Sequence, residues 1–165
     1  MSVDIHTPES ICNQLKLWLT DMDYRVTVPE AGTYASVAWA LEVHERGLDA
    51  QGNKVVGLGV LVSQPTGKHD QIIIRGHYAL SGSDKTAFVG FPDDRKARIL
   101  HEIRLKFYGT GVRIGESEDS TSFDCIYITY YEGLTKNQLA LAMHQMLDAF
   151  RCIFETMRYY IRSHE

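Results

Sequence analysis

The sequence predicts an α+β fold in which an antiparallel sheet is packed by helices on one side. Three observations lead to this prediction. Helical periodicity marks both ends of the chain and one segment between them. Short runs with the two-residue alternation of strands fill much of the rest, and turn residues separate them. Because parallel strands need long crossover connections, consecutive strands with short turns favour an antiparallel meander.

The first helix begins at Thr7-Pro8-Glu9. A threonine side chain caps free backbone N–H groups, proline fits the first helical position, and glutamate favours the positive end of the helix dipole. Four apolar residues then share one face at helical spacing: Ile11, Leu15, Trp18 and Met22. The acidic residues Asp21 and Asp23 mark the end of this helix.

Four strands are predicted next. Residues 24–28 form a short β-branched run that Pro29 ends. Residues 35–44 alternate between two faces, which is typical of a strand with one buried face. Residues 54–63 and 71–80 are further apolar runs, and glycine- or proline-containing turns precede both.

A second helix is predicted in the middle of the chain. Residues 81–90 allow a short helical turn that Ser83 and Asp84 would cap, and the helix proper then runs from residue 92 or 93 to Tyr108. Its apolar stripe consists of Ile99, Leu100, Ile103 and Phe107. Gly109 lies where a left-handed cap would end it.

Two further strands, 112–114 and 123–131, precede the last helix. Thr135 and Gln138 have the spacing of a capping box at the start of that helix. Apolar residues then recur at alternating spacings of four and three: Leu139, Met143, Met146, Phe150, Ile153, Met157 and Tyr160. We predict a single domain spanning residues 1–165.

Composition and charge argue against several classes of protein. The chain has 165 residues and a net charge of −4, which does not favour nucleic-acid binding because phosphate neutralisation needs a basic face. The longest near-apolar run, residues 55–62, is too short to span a membrane. Nothing at the N-terminus has the layout of a signal peptide, and three widely spaced cysteines suit a reducing compartment. We therefore expect a cytoplasmic protein with no nucleic-acid or membrane partner.

Motifs for catalysis and metal binding lack the spacing that their chemistry needs. A zinc-protease helix requires a second histidine four residues after the first, but leucine stands there after both His44 and His101. The glycine-rich run 109–115 follows a helix, whereas a dinucleotide fingerprint follows a strand. No G-x-S-x-G elbow is present. We predict no catalytic residue, no cofactor and no metal site.

Two features indicate contact with another polypeptide. One predicted strand carries Tyr127, Tyr130 and Tyr131, and exposed tyrosines are good anchors at interfaces. The last helix has a broad apolar stripe, and surplus apolar surface often marks a partner site. Its candidate contact residues are Met143, Met146, Phe150 and Met157. The alternative for both features is ordinary core packing.

A resemblance to a known family covers most of the chain. It begins with residues 131–138, YEGLTKNQ, and continues through the amphipathic helix to Ile161. The N-terminal helix with Trp18, the strand around residues 72–74 and the helix at residues 99–108 occur in similar order. These features resemble an uncharacterised, mainly archaeal family of unknown function. That family is similar in architecture to the type III secretion chaperones, which have a twisted antiparallel sheet with a helix before, within and after it.

This resemblance implies a chaperone-like fold, a homodimer and a binding role. The type III secretion chaperones dimerise and bind extended segments of client proteins, and the resemblance supplies no catalytic residue. Our leading hypothesis is therefore a non-enzymatic module that binds a client polypeptide at a sheet edge or at the apolar face of the last helix. The alternative is a small-ligand-binding protein or an enzyme acting on an anionic molecule, which Arg75, His77 and Arg113 would hold.

Overall fold

A computed structural model describes residues 7–48, 51 and 54–163. Within this part the helices are α1 (Pro8–Asp21), α2 (Gly82–Val89), α3 (Asp93–Phe107) and α4 (Lys136–Arg162). The strands are β1 (Arg25–Thr27), β2 (Val37–Leu48), β3 (Lys54–Pro65), β4 (Gln71–Ala79), β5 (Arg113–Glu116) and β6 (Ser122–Tyr130). The predicted α+β class and the predicted order of elements are confirmed.

The six strands form an antiparallel sheet in the order β1-β2-β3-β4-β6-β5. The first four strands are neighbours in chain order, as a meander requires. The helices α2 and α3 separate β4 from β5, and β6 then lies between β4 and β5. As a result β1 and β5 are the two edge strands of the sheet.

Both predicted helix caps are present. The Thr7 side chain accepts a hydrogen bond from the Ser10 backbone N–H at the start of α1. At the start of α4, the Thr135 N–H donates to Gln138 Oε1 over 2.8 Å and the Gln138 N–H donates to Thr135 Oγ1 over 3.2 Å. These reciprocal bonds form a complete capping box, which pairs N–H groups that the first turn of a helix leaves free.

Two local predictions need correction. The buried face of α1 consists of Ile11, Leu15 and Leu19, whereas Trp18 and Met22 are half-buried. The buried face of α1 is therefore rotated relative to the predicted stripe. Apolar residues also stand next to that stripe, so spacing alone does not show which of them face the core. The predicted short helix α2 exists, but its N-cap is Ser81 and not Ser83 or Asp84. Its Asp84 lies in the first turn, and the Ser81 side chain makes no capping hydrogen bond.

The described residues group into two compact units. The first contains residues 7–48, 51, 54–74 and 128–143, and the second contains residues 75–127 and 144–163. The elements β4, β6 and α4 contribute residues to both units. The single domain inferred from the sequence stays a prediction.

The first unit contains the long hairpin of β2 and β3. Its buried cross-strand pairs join Leu41 to Val62 and Val43 to Val60. The buried Gln64 side chain accepts a hydrogen bond from the Trp39 indole over 2.7 Å and donates to the His69 carbonyl. This arrangement satisfies a polar group inside an apolar core. The strand alternation that predicted β2 correctly places Leu41 and Val43 on a core face, and Ala40 on the opposite face is buried as well.

The second unit contains α2, α3, β5 and the C-terminal part of α4. Its core includes the fully buried side chains of Phe88, Ile99, Ile103 and Phe123. A polar network joins α3 to α4. The Tyr160 hydroxyl donates to Glu102 over 2.5 Å, Lys106 donates to the Thr156 hydroxyl over 2.9 Å, and Arg95 donates to the Tyr160 carbonyl over 2.6 Å. The hydrogen bonds from Tyr160 and Lys106 lower the pKa of Glu102 below its ordinary value.

Candidate functional site

The α4 residues that the sequence analysis placed at a partner interface lie in the protein core. Met143, Met146, Phe150 and Met157 expose between 0% and 3% of their surface. In the second unit, the Phe150 ring lies directly against the backbone of Gly76 in β4. A buried side chain cannot contact a partner without a rearrangement of the fold. These four residues therefore match the core-packing alternative and are not part of the surface described below.

The part of the α4 apolar surface that stays exposed is small. In the second unit, Phe154 is 42% exposed and Tyr159 is 67% exposed. The Phe154 ring contacts Tyr78 edge-on, with centroids 6.4 Å apart, and the Arg158 guanidinium lies 5.7 Å from its centre. An open groove of about 540 Å³ runs between these side chains and Arg162. The residues that line it all come from the last part of α4 and from Ser163 just after it, so the groove is shallow.

The three tyrosines predicted at a partner interface are in different environments. Tyr130 is 55% exposed, whereas Tyr127 and Tyr131 are half-buried. A Cβ atom on Gly111 would lie 3.0 Å from the Tyr127 ring, so this ring packs against backbone. Because side chains alternate along a strand, Tyr127 and Tyr130 leave β6 on opposite faces. Of the three, Tyr130 is the one whose surface is mostly exposed.

The three residues predicted to hold an anion share one exposed face of the second unit. Arg75 and His77 alternate with the buried Gly76 in β4, and Arg113 is exposed in β5. We call this side, which points away from Phe150, the open face. On it, His77 Nδ1 lies 3.0 Å from Asp124 Oδ1, and both side chains are more than half exposed. Such an exposed pair is screened by water and contributes about 0–1 kcal/mol.

The strand register brings the two arginines to either side of one residue. The Leu80 N–H donates to the Thr121 carbonyl over 2.8 Å, which makes these residues opposite each other at the end of the β4–β6 ladder. Counting inward from this pair places Arg75 opposite Ile126, and Arg113 is also paired with Ile126. Two strand spacings separate the arginine backbones, which is about 10 Å. The open face therefore carries two cations flanking an apolar side chain.

The outer edge of β5 can be derived from the pairing of β5 with β6. The Ser117 N–H donates to the Ser122 carbonyl over 3.0 Å, so these residues form a hydrogen-bonded pair just beyond β5. The register continues without a shift from there to the pair Arg113–Ile126. In an antiparallel ladder, hydrogen-bonded pairs alternate with pairs that are not hydrogen-bonded. The direction of every N–H and C=O group in β5 is thereby determined.

Arg113 and Gly115 direct their N–H and C=O groups towards β6, and Ile114 and Glu116 direct theirs away from it. No strand in the described part of the chain pairs with β5 on that outer side. The outer side of β5 therefore carries two N–H donors and two C=O acceptors that no other strand among the described residues pairs with. Sequence reasoning missed this edge. The sequence predicts a strand here, but it does not show which residues of the strand direct their backbone groups towards a neighbouring strand.

The side chains around this edge differ between the two faces of the sheet. On the open face stand Arg113 and Gly115, and a Cβ atom added to Gly115 would have nothing within 4 Å. On the other face stand the half-buried Ile114 and the exposed Glu116, whose carboxylate pairs with Arg104 of α3. The edge thus has backbone groups that no described strand pairs with. Beside them it has a cation, Arg113, and the open space at Gly115 on the open face, and the apolar Ile114 on the other face.

The turn between β5 and β6 holds the edge in place. Asp119 accepts hydrogen bonds from the Ser117 hydroxyl and from both the N–H and the hydroxyl of Thr121. Lys85 lies 3.8 Å from the same carboxylate. The hydrogen bonds from Ser117 and Thr121 lower the pKa of Asp119 from 3.8 to about 2. The ionised aspartate is therefore the form that this turn stabilises.

Acid is expected to weaken this turn. Because the pKa of Asp119 is lower in the folded chain, its contribution to stability is present above about pH 4 and is lost as the pH falls towards 2. Urea unfolding between pH 5 and pH 2 should show the Asp119→Asn variant approaching the wild type in free energy of unfolding as the pH falls. The exposed neighbour Glu118 provides the control variant Glu118→Gln, which should keep the wild-type pH dependence. A constant gap between Asp119→Asn and wild type would contradict this assignment.

The three cysteines are free, and Cys125 is buried. Burial raises the pKa of Cys125 to about 12, so its thiol stays protonated at neutral pH. Residues 7–48, 51 and 54–163 contain no group of three His, Cys, Asp or Glu side chains arranged to hold a metal ion. Within the same residues, no helix has the length and apolarity that a membrane span needs.

Comparison with solved structures gives a match in fold. A crystal structure of an uncharacterized protein from Methanothermobacter thermautotrophicus superposes with a TM-score of 0.69 at 16% sequence identity. The alignment covers 93% of this chain and 98% of that protein. The two chains share a fold. No protein-family model matches the sequence, and a search of the curated proteins finds no match.

Proposed function

We propose that the protein binds other polypeptides and that the outer edge of β5 receives an extended segment as an added strand. The observation that carries this proposal is the outward direction of the backbone N–H and C=O groups of Ile114 and Glu116. A segment laid along β5 would pair with these four groups, and main-chain hydrogen bonds of this kind supply affinity in strand addition. Arg113 and Gly115 are both exposed, and Gly115 has no side chain and nothing within 4 Å of the place where a Cβ atom would lie, which leaves the approach from the open face clear.

Two other surfaces fit an extended segment less well. The edge strand β1 has three residues, and Pro29, which follows two residues later, interrupts any longer pairing because it has no N–H to donate. The apolar stripe of α4 is occupied by the core of the protein itself. The β5 edge is therefore the surface that supports the binding role best.

A chaperone-like role fits this edge. The type III secretion chaperones, which the sequence resembles in architecture, bind extended segments of client proteins. The homodimer implied by that resemblance stays a prediction. In our proposal it uses another surface, so a dimer with twice the mass of 18.7 kDa should persist when the β5 edge is altered. Light scattering on the wild type and on the variant Ile114→Pro measures the mass in solution directly.

The substitution Ile114→Pro tests the proposed edge. It removes an N–H that points away from β6, so the β5–β6 ladder keeps its hydrogen bonds. Peptides would first be selected against the purified wild-type protein from a displayed random library. We expect Ile114→Pro to weaken their binding by about tenfold, through one lost hydrogen bond and the proline ring in the path of the added strand.

The matched control is Ile114→Val, which keeps the N–H and the β-branched side chain and should bind as the wild type does. Methylation of the peptide backbone provides a second signature. When the peptide residues are N-methylated one at a time, binding should be abolished at alternate positions. The reason is that alternate residues of an added strand direct their N–H groups towards β5. The proposal fails if no peptide is selected, or if the selected peptides bind Ile114→Pro as tightly as the wild type.

A second candidate function is the binding of a small anion on the open face. It is favoured by the placement of Arg75 and Arg113 on either side of Ile126. A thermal-shift screen over phosphates, carboxylates and nucleotides should then show a rise in melting temperature that Arg75→Ala removes. The absence of a response to every anion would exclude this candidate.

A further inference from the structure

We propose that the β5 edge selects its partner by side-chain pattern: an aromatic residue, then a β-branched apolar residue, then an acidic residue. This inference rests on the proposed strand addition and names the chemistry of the segment that would be added. It follows from the three β5 residues that such a segment would face in antiparallel pairing, Gly115, Ile114 and Arg113. The whole sheet is antiparallel, and antiparallel pairing is the more stable arrangement per residue.

The acidic residue follows from the charge on the open face. A residue directly opposite Arg113 has its Cβ atom about 4.5–5.5 Å from the arginine Cβ atom. Arg113 is exposed and is the cation nearest to the partner strand, whereas the exposed carboxylate on the neighbouring strand, Asp124, is paired with His77. A carboxylate opposite Arg113 is therefore attracted by it, and a lysine at that place is repelled.

The aromatic residue follows from the open space at Gly115. Glycine leaves its own backbone uncovered, and nothing lies within 4 Å of the position that its Cβ atom would take. An aromatic ring on a neighbouring strand can lie over such a glycine and shield its backbone, which stabilises the pairing of the two strands. The partner residue opposite Gly115 points to the same open face as the carboxylate, two positions away along its strand.

The middle residue of the pattern faces the other side of the sheet. It stands opposite Ile114, which is half-buried on the side where Glu116 pairs with Arg104. A β-branched side chain packs well against an isoleucine on a neighbouring strand. The three positions together describe an extended segment with an aromatic and an acidic residue on one face and a β-branched apolar residue on the other, in a fixed direction along β5.

Synthetic peptides test this pattern on the full-length protein. The probe is a fluorescent peptide with the core Phe-Val-Glu between threonines, and its binding is followed by anisotropy. The controls carry Phe-Val-Lys, Ala-Val-Glu and the reversed core Glu-Val-Phe. We expect Phe-Val-Glu to bind about two- to fivefold more tightly than each control, and its advantage over Phe-Val-Lys to shrink as salt is added.

Two protein variants assign the preference to individual residues. Arg113→Glu should reverse the order of affinity, so that Phe-Val-Lys binds more tightly than Phe-Val-Glu, because the charge that attracts the glutamate then repels it. Gly115→Thr fills the open space and should remove the preference for Phe-Val-Glu over Ala-Val-Glu while leaving the charge preference in place. Both positions are exposed, so neither change is expected to alter folding, and circular dichroism verifies this.

The outcomes separate this inference from the proposed function. Equal binding of all four peptides, still weakened by Ile114→Pro, would overturn the pattern and leave strand addition intact. The absence of binding by every peptide, including those selected from the library, would overturn both. If the wild type were a dimer and Ile114→Pro dissociated it, a second copy of the chain would occupy the edge. That result would contradict the proposed partner.

Discussion

Replacing Phe150 by alanine is expected to lower the free energy of unfolding by about 3–5 kcal/mol. Phe150 is 3% exposed, and its ring fills the space over Gly76 that no side chain of β4 occupies. Removal of the ring leaves a cavity between helix and strand, because a close-packed core collapses only in part. Since a domain of this size has a total stability of about 5–15 kcal/mol, this loss is a large share of it.

Leu141 is the matched control for this change. It lies on the same helix, is 57% exposed, and its replacement by alanine should alter the free energy of unfolding by less than about 0.5 kcal/mol. Urea unfolding monitored by circular dichroism measures both variants. If Phe150→Ala were as stable as Leu141→Ala, the stripe of α4 would be a surface and the partner role inferred for it from the sequence would return.

Replacing Gly76 by alanine is expected to destabilise the protein by about 1–3 kcal/mol. A Cβ atom at this position would lie 2.1 Å from Cζ of Phe150, which is closer than any real contact, so the ring or the strand must move. Strand propensity alone predicts the opposite sign, because glycine weakens the interior of a strand. The sign of the measured change therefore decides which of the two effects is larger.

A double-mutant cycle separates these effects further. In the Phe150→Ala background the added methyl group meets no ring, so Gly76→Ala should be neutral or stabilising there. Gly115→Ala is the control, since its new Cβ atom would meet open space. Equal destabilisation by Gly76→Ala in both backgrounds would show that its cost comes from the strand itself and not from the ring.

Periodicity and capping chemistry predicted most of the fold. The capping box of Thr135 and Gln138, the cap at Thr7 and the left-handed Gly109 all depend on neighbours three or four residues away. Local interactions of this kind are visible in a sequence. The same holds for the alternation of a strand at residues 71–80, which puts Arg75 and His77 on the same face of β4, where both are exposed.

The candidate binding surface could be predicted only in part. The breadth of the α4 stripe suggested surplus apolar area, but its burial depends on what packs against it, such as the Phe150 ring on Gly76. The outward direction of the Ile114 and Glu116 backbone groups depends on the register between β5 and β6. A register is a relation between distant segments, and a one-residue slip would reverse every group in the strand.

Amide hydrogen exchange of the four β5 residues, measured by NMR, tests the free edge most directly. We expect the N–H groups of Arg113 and Gly115 to be protected in the free protein, whereas those of Ile114 and Glu116 exchange rapidly. Saturation with the Phe-Val-Glu peptide should then protect Ile114 and Glu116 as well. Protection of both in the free protein, or rapid exchange of both in the peptide complex, would contradict strand addition at this edge.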